Sequence, residues 1–170
     1  DFAEGFAVGD ITSVAIDEKS DIVAVALQAK EYDCAGAVAL LNYDGSFIKA
    51  YPCGVQPDMV TFAGDFILTA DEGEPRQGYG EGFVDPKGSV TVIDVSAGRK
   101  NGSSAVVTFD EFDAKRGELT ESGVILKKGA APSVDFEPEY IATSGKYAYV
   151  SLQEANAIAE LDLESKKFAS

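Results

Sequence analysis

A four-strand pattern that recurs three times, apolar runs no longer than a strand, and polar turn signals between them predict an all-β chain. A recurring core of about 45 residues with four antiparallel strands is the signature of propeller blades. The predicted fold is therefore a β-propeller fragment of about three four-stranded antiparallel blades plus one short helical insertion.

The elements align in order. Ser13-Val-Ala-Ile-Asp17 with Ile22-Val-Ala-Val-Ala-Leu-Gln28, Met59-Val-Thr-Phe62 with Phe66-Ile-Leu-Thr-Ala-Asp-Glu72, and Tyr140-Ile-Ala-Thr143 with Tyr147-Ala-Tyr-Val-Ser-Leu-Gln153 form three strand pairs across polar turns. A third strand follows in each and ends on Asn42, Asp94 or Asp162, placed to bond turn backbone. A fourth begins at Phe47, Ala105 and Lys167, the first after the hairpin signal Asp44-Gly45. The expected blades are 10–53, 54–110 with a loop insertion over 73–87, and 136–170, which is truncated. Residues 111–135 form a second insertion whose first half reads as helix, with Asp110 as its cap, Phe112 and Leu119 inward and Gly123 at its end. Open blades expose apolar faces and unpaired edges, so neighbouring blades are expected beyond both ends.

Composition narrows the chemistry. Fourteen basic against twenty-nine acidic side chains leave a formal charge of −15, which repels phosphate backbones and anionic lipid. Divalent cations and basic proteins suit such a surface, although acidity also serves plain solubility. The complete lack of histidine removes Ser-His-Asp and Cys-His machinery and the usual catalytic zinc sites from this segment. Cys34 and Cys53 lack CxxC spacing; they can form a disulfide in an oxidising compartment or remain two buried thiols. No apolar run is long enough to span a bilayer, and none reads as a signal peptide.

Gly54-Val-Gln-Pro-Asp-Met-Val-Thr-Phe62, Leu68-Thr-Ala-Asp-Glu-Gly-Glu-Pro75, Val84-Asp-Pro-Lys-Gly-Ser-Val-Thr-Val-Ile-Asp94 and Glu137-Pro-Glu-Tyr-Ile-Ala142 through Ser151-Leu-Gln-Glu-Ala-Asn-Ala157 together resemble the choice-of-anchor I propeller family. The resemblance implies an extracellular or cell-surface setting, since the family occurs in secreted bacterial proteins beside surface-anchoring signals. It also takes in mesenchyme-specific cell-surface glycoproteins and the propeller region of atypical bacterial alkaline phosphatases. The expected function is a non-catalytic binding or structural module. Part of a metal-dependent extracellular phosphatase or phosphodiesterase is the alternative. Remaining blades of the same protein and other surface or matrix proteins are the expected partners.

Propeller connectivity gathers Gln28, Glu72 and Gln153, the Pro57-Asp58 and Pro138-Glu139 strand entries and both insertions on one face, where loops commonly carry function. The first insertion crowds Asp71, Glu72, Glu74, Glu81 and Asp85. Hard cations take six to eight oxygen ligands, so Asp71, Glu72, Glu74, Asp85 and Glu139 are the candidate calcium ligands. A solvated loop in which Arg76 and Lys87 pair the charges is the competing reading. No pair of carboxylates is singled out as catalytic, and no other cofactor is expected. Tyr79, Phe83, Tyr140, Tyr147 and Tyr149 offer a stacking surface, with blade packing as the better reading of the last three. Asn101-Gly-Ser103 is a glycosylation sequon and equally an Asn-Gly turn.

Overall fold

The computed structural model describes residues 5–76, 78 and 82–169. Twelve strands form three four-stranded antiparallel sheets in which each strand pairs with its sequence neighbour. The first holds β1 (Val8–Asp17), β2 (Ile22–Ala29), β3 (Ala35–Asn42) and β4 (Phe47–Val55). The second holds β5 (Pro57–Ala63), β6 (Phe66–Asp71), β7 (Ser89–Asp94) and β8 (Ser103–Thr108). The third holds β9 (Pro138–Ser144), β10 (Tyr147–Leu152), β11 (Ala157–Asp162) and β12 (Lys167–Phe168). β5 packs against both β1 and β9, so the first strand of every sheet lies innermost, and β4 packs against β8 at the periphery. This is the blade arrangement the repeats predict.

Period-two alternation builds the interfaces. Ala24, Ala26, Val38, Leu40, Tyr51 and Cys53 of the first sheet meet Val60, Ile67 and Ile93 of the second. The alternate residues Leu68, Ala70 and Val92 face the third sheet, where Ile141, Val150 and Leu161 receive them. Phe109 closes this second core, stacked on Phe168 at a centroid distance of 4.3 Å and edge-on to Phe136 at 5.4 Å. The far side of the first sheet presents Val25, Leu27 and Ala39 with Val23 and Leu41 beside them.

Turn chemistry follows the repeat. Asp94 Oδ1 accepts the backbone N–H of Ser96 at 2.9 Å, and Asp162 Oδ1 accepts those of Glu164 and Ser165 at 3.0 and 2.9 Å. Asn42 differs, since its amide donates to the Ser46 hydroxyl at 2.8 Å.

Several expectations need correction. The second insertion opens with a 3-10 helix (Asp110–Lys115) that runs into α1 (Arg116–Glu121), and the short α2 (Pro132–Asp135) was not expected. Asp110 makes no capping bond; its carboxylate takes Lys87 and the Thr108 hydroxyl instead. Phe112 is buried and Leu119 packs on the same core. Cys34 and Cys53 are both free. Cys53 alternates with Tyr51 into the first interface, whereas Cys34 sits in the exposed connection before β3. Burial, with the nearby Asp71 charge, pushes the Cys53 thiol well up. Tyr140 and Tyr149 do not pack between described blades but stand exposed on the third sheet.

Candidate functional site

The inner strands share one irregularity. Between Ile11 and Ser13, between Pro57 and Met59, and between Pro138 and Tyr140 the ladder slips by one residue. Thr12, Asp58 and Glu139 are the extra residues, at the same place in each blade. A bulge re-aims the side chain it carries. Two of the three carry carboxylates, both half-buried, beside the connections that cap the blades.

Around them the acidic side chains interact. Glu154 of the β10–β11 turn stands close enough to Glu139 to act on its carboxyl, and like charges so placed favour the protonated form. Burial, then Glu154, Asp58 and Glu137, pushes Glu139 up to about 7. Glu72 also rises to about 7 through burial and the charges of Glu74 and Asp58, with Arg76 opposing and Glu137 adding. Few cations answer them. Arg76 lies 3.4 Å from Glu74, and Lys127 lies 2.9 Å from Glu137 and 3.4 Å from Asp135. Gln56 ties this region to the blade: its amide donates to the carbonyls of Glu74 at 2.8 Å and Tyr32 at 3.0 Å, and its side-chain oxygen accepts from Arg76 at 3.1 Å.

Charge divides between the faces. The described connections at this mouth, residues 30–34, 56, 72–76, 78, 82–88, 109–137 and 153–156, hold thirteen acidic and seven basic residues. The turns of the opposite face, residues 18–21, 43–46, 64–65, 95–102, 145–146 and 163–166, hold five of each. The excess negative potential is thus concentrated where the bulges and long connections meet.

The five candidate calcium ligands separate. Glu72, Glu74 and Glu139 belong to the mouth. Asp71 does not: it is fully buried and accepts the hydroxyls of Thr69 at 2.7 Å, Ser89 at 2.9 Å and Thr91 at 2.7 Å. Thr91 in turn accepts the Gly54 N–H of the first sheet at 3.0 Å, so Asp71 joins two blades. Burial pushes its carboxyl up to about 6 against the lowering effect of these hydroxyls. Asp85 lies near Lys127 and Asp135, raised chiefly by burial, and its Oδ1 has no hydrogen-bond partner. Among the described residues no group of three or more acidic or cysteine side chains is arranged to hold a metal ion. Arg76 pairs with a loop carboxylate, but Lys87 pairs with Asp110 outside the loop. Glu81 and Tyr79 lie outside the described residues. Phe83 is 42% exposed. Gln153 is exposed, whereas Gln28 is buried with its Nε2 unpartnered. Asn101 is exposed, its amide donating to the Ala97 carbonyl at 3.3 Å.

Glu154 and Glu137 were not foreseen. Glu137 directly precedes a Pro-acid pair also seen at Pro57-Asp58, which was a usable signal, but Glu154 is a lone turn residue that only tertiary structure brings to Glu139.

The family profile described as Choice-of-anchor I domain matches residues 1–170. Two solved structures are similar in fold. The Kuenenia stuttgartiensis hydrazine synthase superposes with a TM-score of 0.55 at 15% identity, over 89% of this chain and 39% of that one. A chain of the nidogen/laminin complex gives 0.53 at 13% identity, over 99% of this chain and 48% of that one. The chain therefore spans less than half of each of these solved chains. No curated protein matches the sequence. No helix among the described residues is long and apolar enough to cross a membrane.

Proposed function

Because the chain belongs to the choice-of-anchor I domain family, we propose that it is part of a non-catalytic binding and structural propeller of a secreted or cell-surface protein, whose acidic mouth takes cationic ligands, calcium among them. The observation that carries this reading is the crowding of carboxylates at the bulge, Glu139 with Glu154, Asp58 and Glu137 and Glu72 with Glu74 and Asp58, which together with burial raises Glu139 and Glu72. A cation bound among these carboxylates relieves the same repulsion that favours their protonation. Basic side chains of a surface or matrix protein relieve it in the same way, and the nidogen/laminin structure is an assembly between proteins in which this fold occurs. Remaining blades of the same protein are the partners for the apolar outer faces, such as Tyr140 and Ile158, which are 65% and 71% exposed.

Calorimetric unfolding of the full-length protein, with millimolar calcium and then with chelator, tests the reading. A cation bound only by the folded state stabilises by about 2.7 kcal/mol at a hundredfold excess over its dissociation constant. An unchanged transition removes calcium as the ligand. Metal-dependent turnover of a phosphate ester by the same preparation turns the assignment to the hydrolase alternative.

A further inference from the structure

The face opposite the acidic mouth carries a groove of different character, and we propose that it is a second binding site, for carboxylate-bearing sugar chains. It measures about 540 Å³ and runs between the first two blades, lined by Asn42, Phe47, Ile48, Arg99, Lys100 and Asn101 with Gly98. In a chain with twenty-nine acidic side chains, none of these lining residues is acidic.

Its cations are uncommitted. Arg99 is half-buried, yet among the described residues its guanidinium makes no hydrogen bond or ion pair; it only feels Asp17 electrostatically. It also borders the adjacent cleft that holds Asp17 and Asp65. The Lys100 ammonium likewise has no partner, and Lys49 reaches in to donate to the Lys100 carbonyl at 2.8 Å. A guanidinium offers a planar fork that matches a carboxylate in two parallel hydrogen bonds.

The loop that presents these groups is held from below. The buried Tyr51 hydroxyl donates to the Arg99 carbonyl at 2.7 Å and accepts the Gly102 N–H at 3.0 Å. Any side chain at Gly102 would collide with that hydroxyl and with the Asp94 carbonyl. The site is therefore organised before a ligand arrives, which lowers the cost of binding.

Phe47 decides the class of ligand. Its ring is 47% exposed at the groove, which the amide-bearing Asn42 and Asn101 also line. The C–H face of a pyranose packs on such a ring, its hydroxyls bond amides, and a uronate carboxyl takes the fork. An acidic peptide needs the cations alone.

The experiment titrates the full-length protein, made in a host that adds no N-glycans so that Asn101 is bare, with trigalacturonate by calorimetry. Binding is expected, with neutral galactotriose at least about tenfold weaker. Arg99→Gln with Lys100→Gln should lower the affinity about tenfold or more, and Phe47→Ala about fivefold, with unfolding curves unchanged. No saturation at millimolar trigalacturonate overturns the proposal. So does equal binding of hexaglutamate with no effect of Phe47→Ala, which would mark a general acidic-peptide surface. An equal loss from Lys19→Gln with Lys146→Gln, outside the groove, overturns it as well.

Discussion

Asp71→Asn isolates the buried carboxyl that joins the first two blades. The asparagine keeps the shape and one of the two acceptor oxygens that Thr69, Ser89 and Thr91 use, puts an NH2 donor in place of the other, and cannot titrate. In the folded protein the Asp71 carboxyl is raised from 3.8 to about 6. The folded state thus binds this proton more tightly than the unfolded chain, and stability falls as pH rises through the interval. The contribution is complete below about pH 4 and gone above about pH 6. A two-unit displacement corresponds to about 3 kcal/mol, and full burial leaves no solvent screening to discount. Glu72 and Glu139 slope the same way, but they are partly exposed and are present in both proteins. Urea unfolding at pH 4, 5, 6, 7 and 8 should therefore show the parent losing about 3 kcal/mol more than the Asp71→Asn variant between pH 4 and pH 7. Parallel curves would refute the claim that the folded state holds this carboxyl displaced.

Two further outcomes follow from the same interface. At Gly54 a methyl group would fall inside contact distance of Ser89 Oγ and the Asp71 carboxylate, so Gly54→Ala should cost about 1–3 kcal/mol in urea unfolding; an unchanged midpoint contradicts the packing. A thiol reagent at neutral pH should label Cys34 quickly in the native protein and Cys53 only after denaturation, because burial pushes the Cys53 thiol up. Loss of both thiols without reductant would restore the disulfide.

What could be read from the chain divides along physical lines. Strand pairs were legible because apolar alternation and turn residues are local properties, and Asp94 and Asp162 bond the backbone of their own turns. Asp71 was misplaced because it stands beside Glu72 and Glu74 in an acidic run. The repeats held the corrective signal: Leu27, Asp71 and Leu152 pair in one register, and two leucines mark that position as interior. The cysteine pairing failed on side-chain direction, since adjacency of chain ends does not say which way Cys53 points. Asp110 is an acceptable helix cap by sequence, and only tertiary structure brings Lys87 to it. The bulges at Asp58 and Glu139 depend on register across strands, and the approach of Glu154 on folding as a whole. The opposite-face groove joins residues from two blades, so no local window contains it.

Calcium titration calorimetry of the full-length protein at pH 7, in two buffers of different ionisation enthalpy, measures whether a cation displaces protons from the acidic mouth around Glu139 and Glu154. With Glu139 raised to about 7 and thus half protonated at pH 7, the apparent heat should change with buffer by about half a proton released per cation bound, and both heat and proton release should be lost in Glu139→Gln with Glu154→Gln. Absence of binding at millimolar calcium, or binding that is independent of buffer and unaltered by the double substitution, would contradict this expectation.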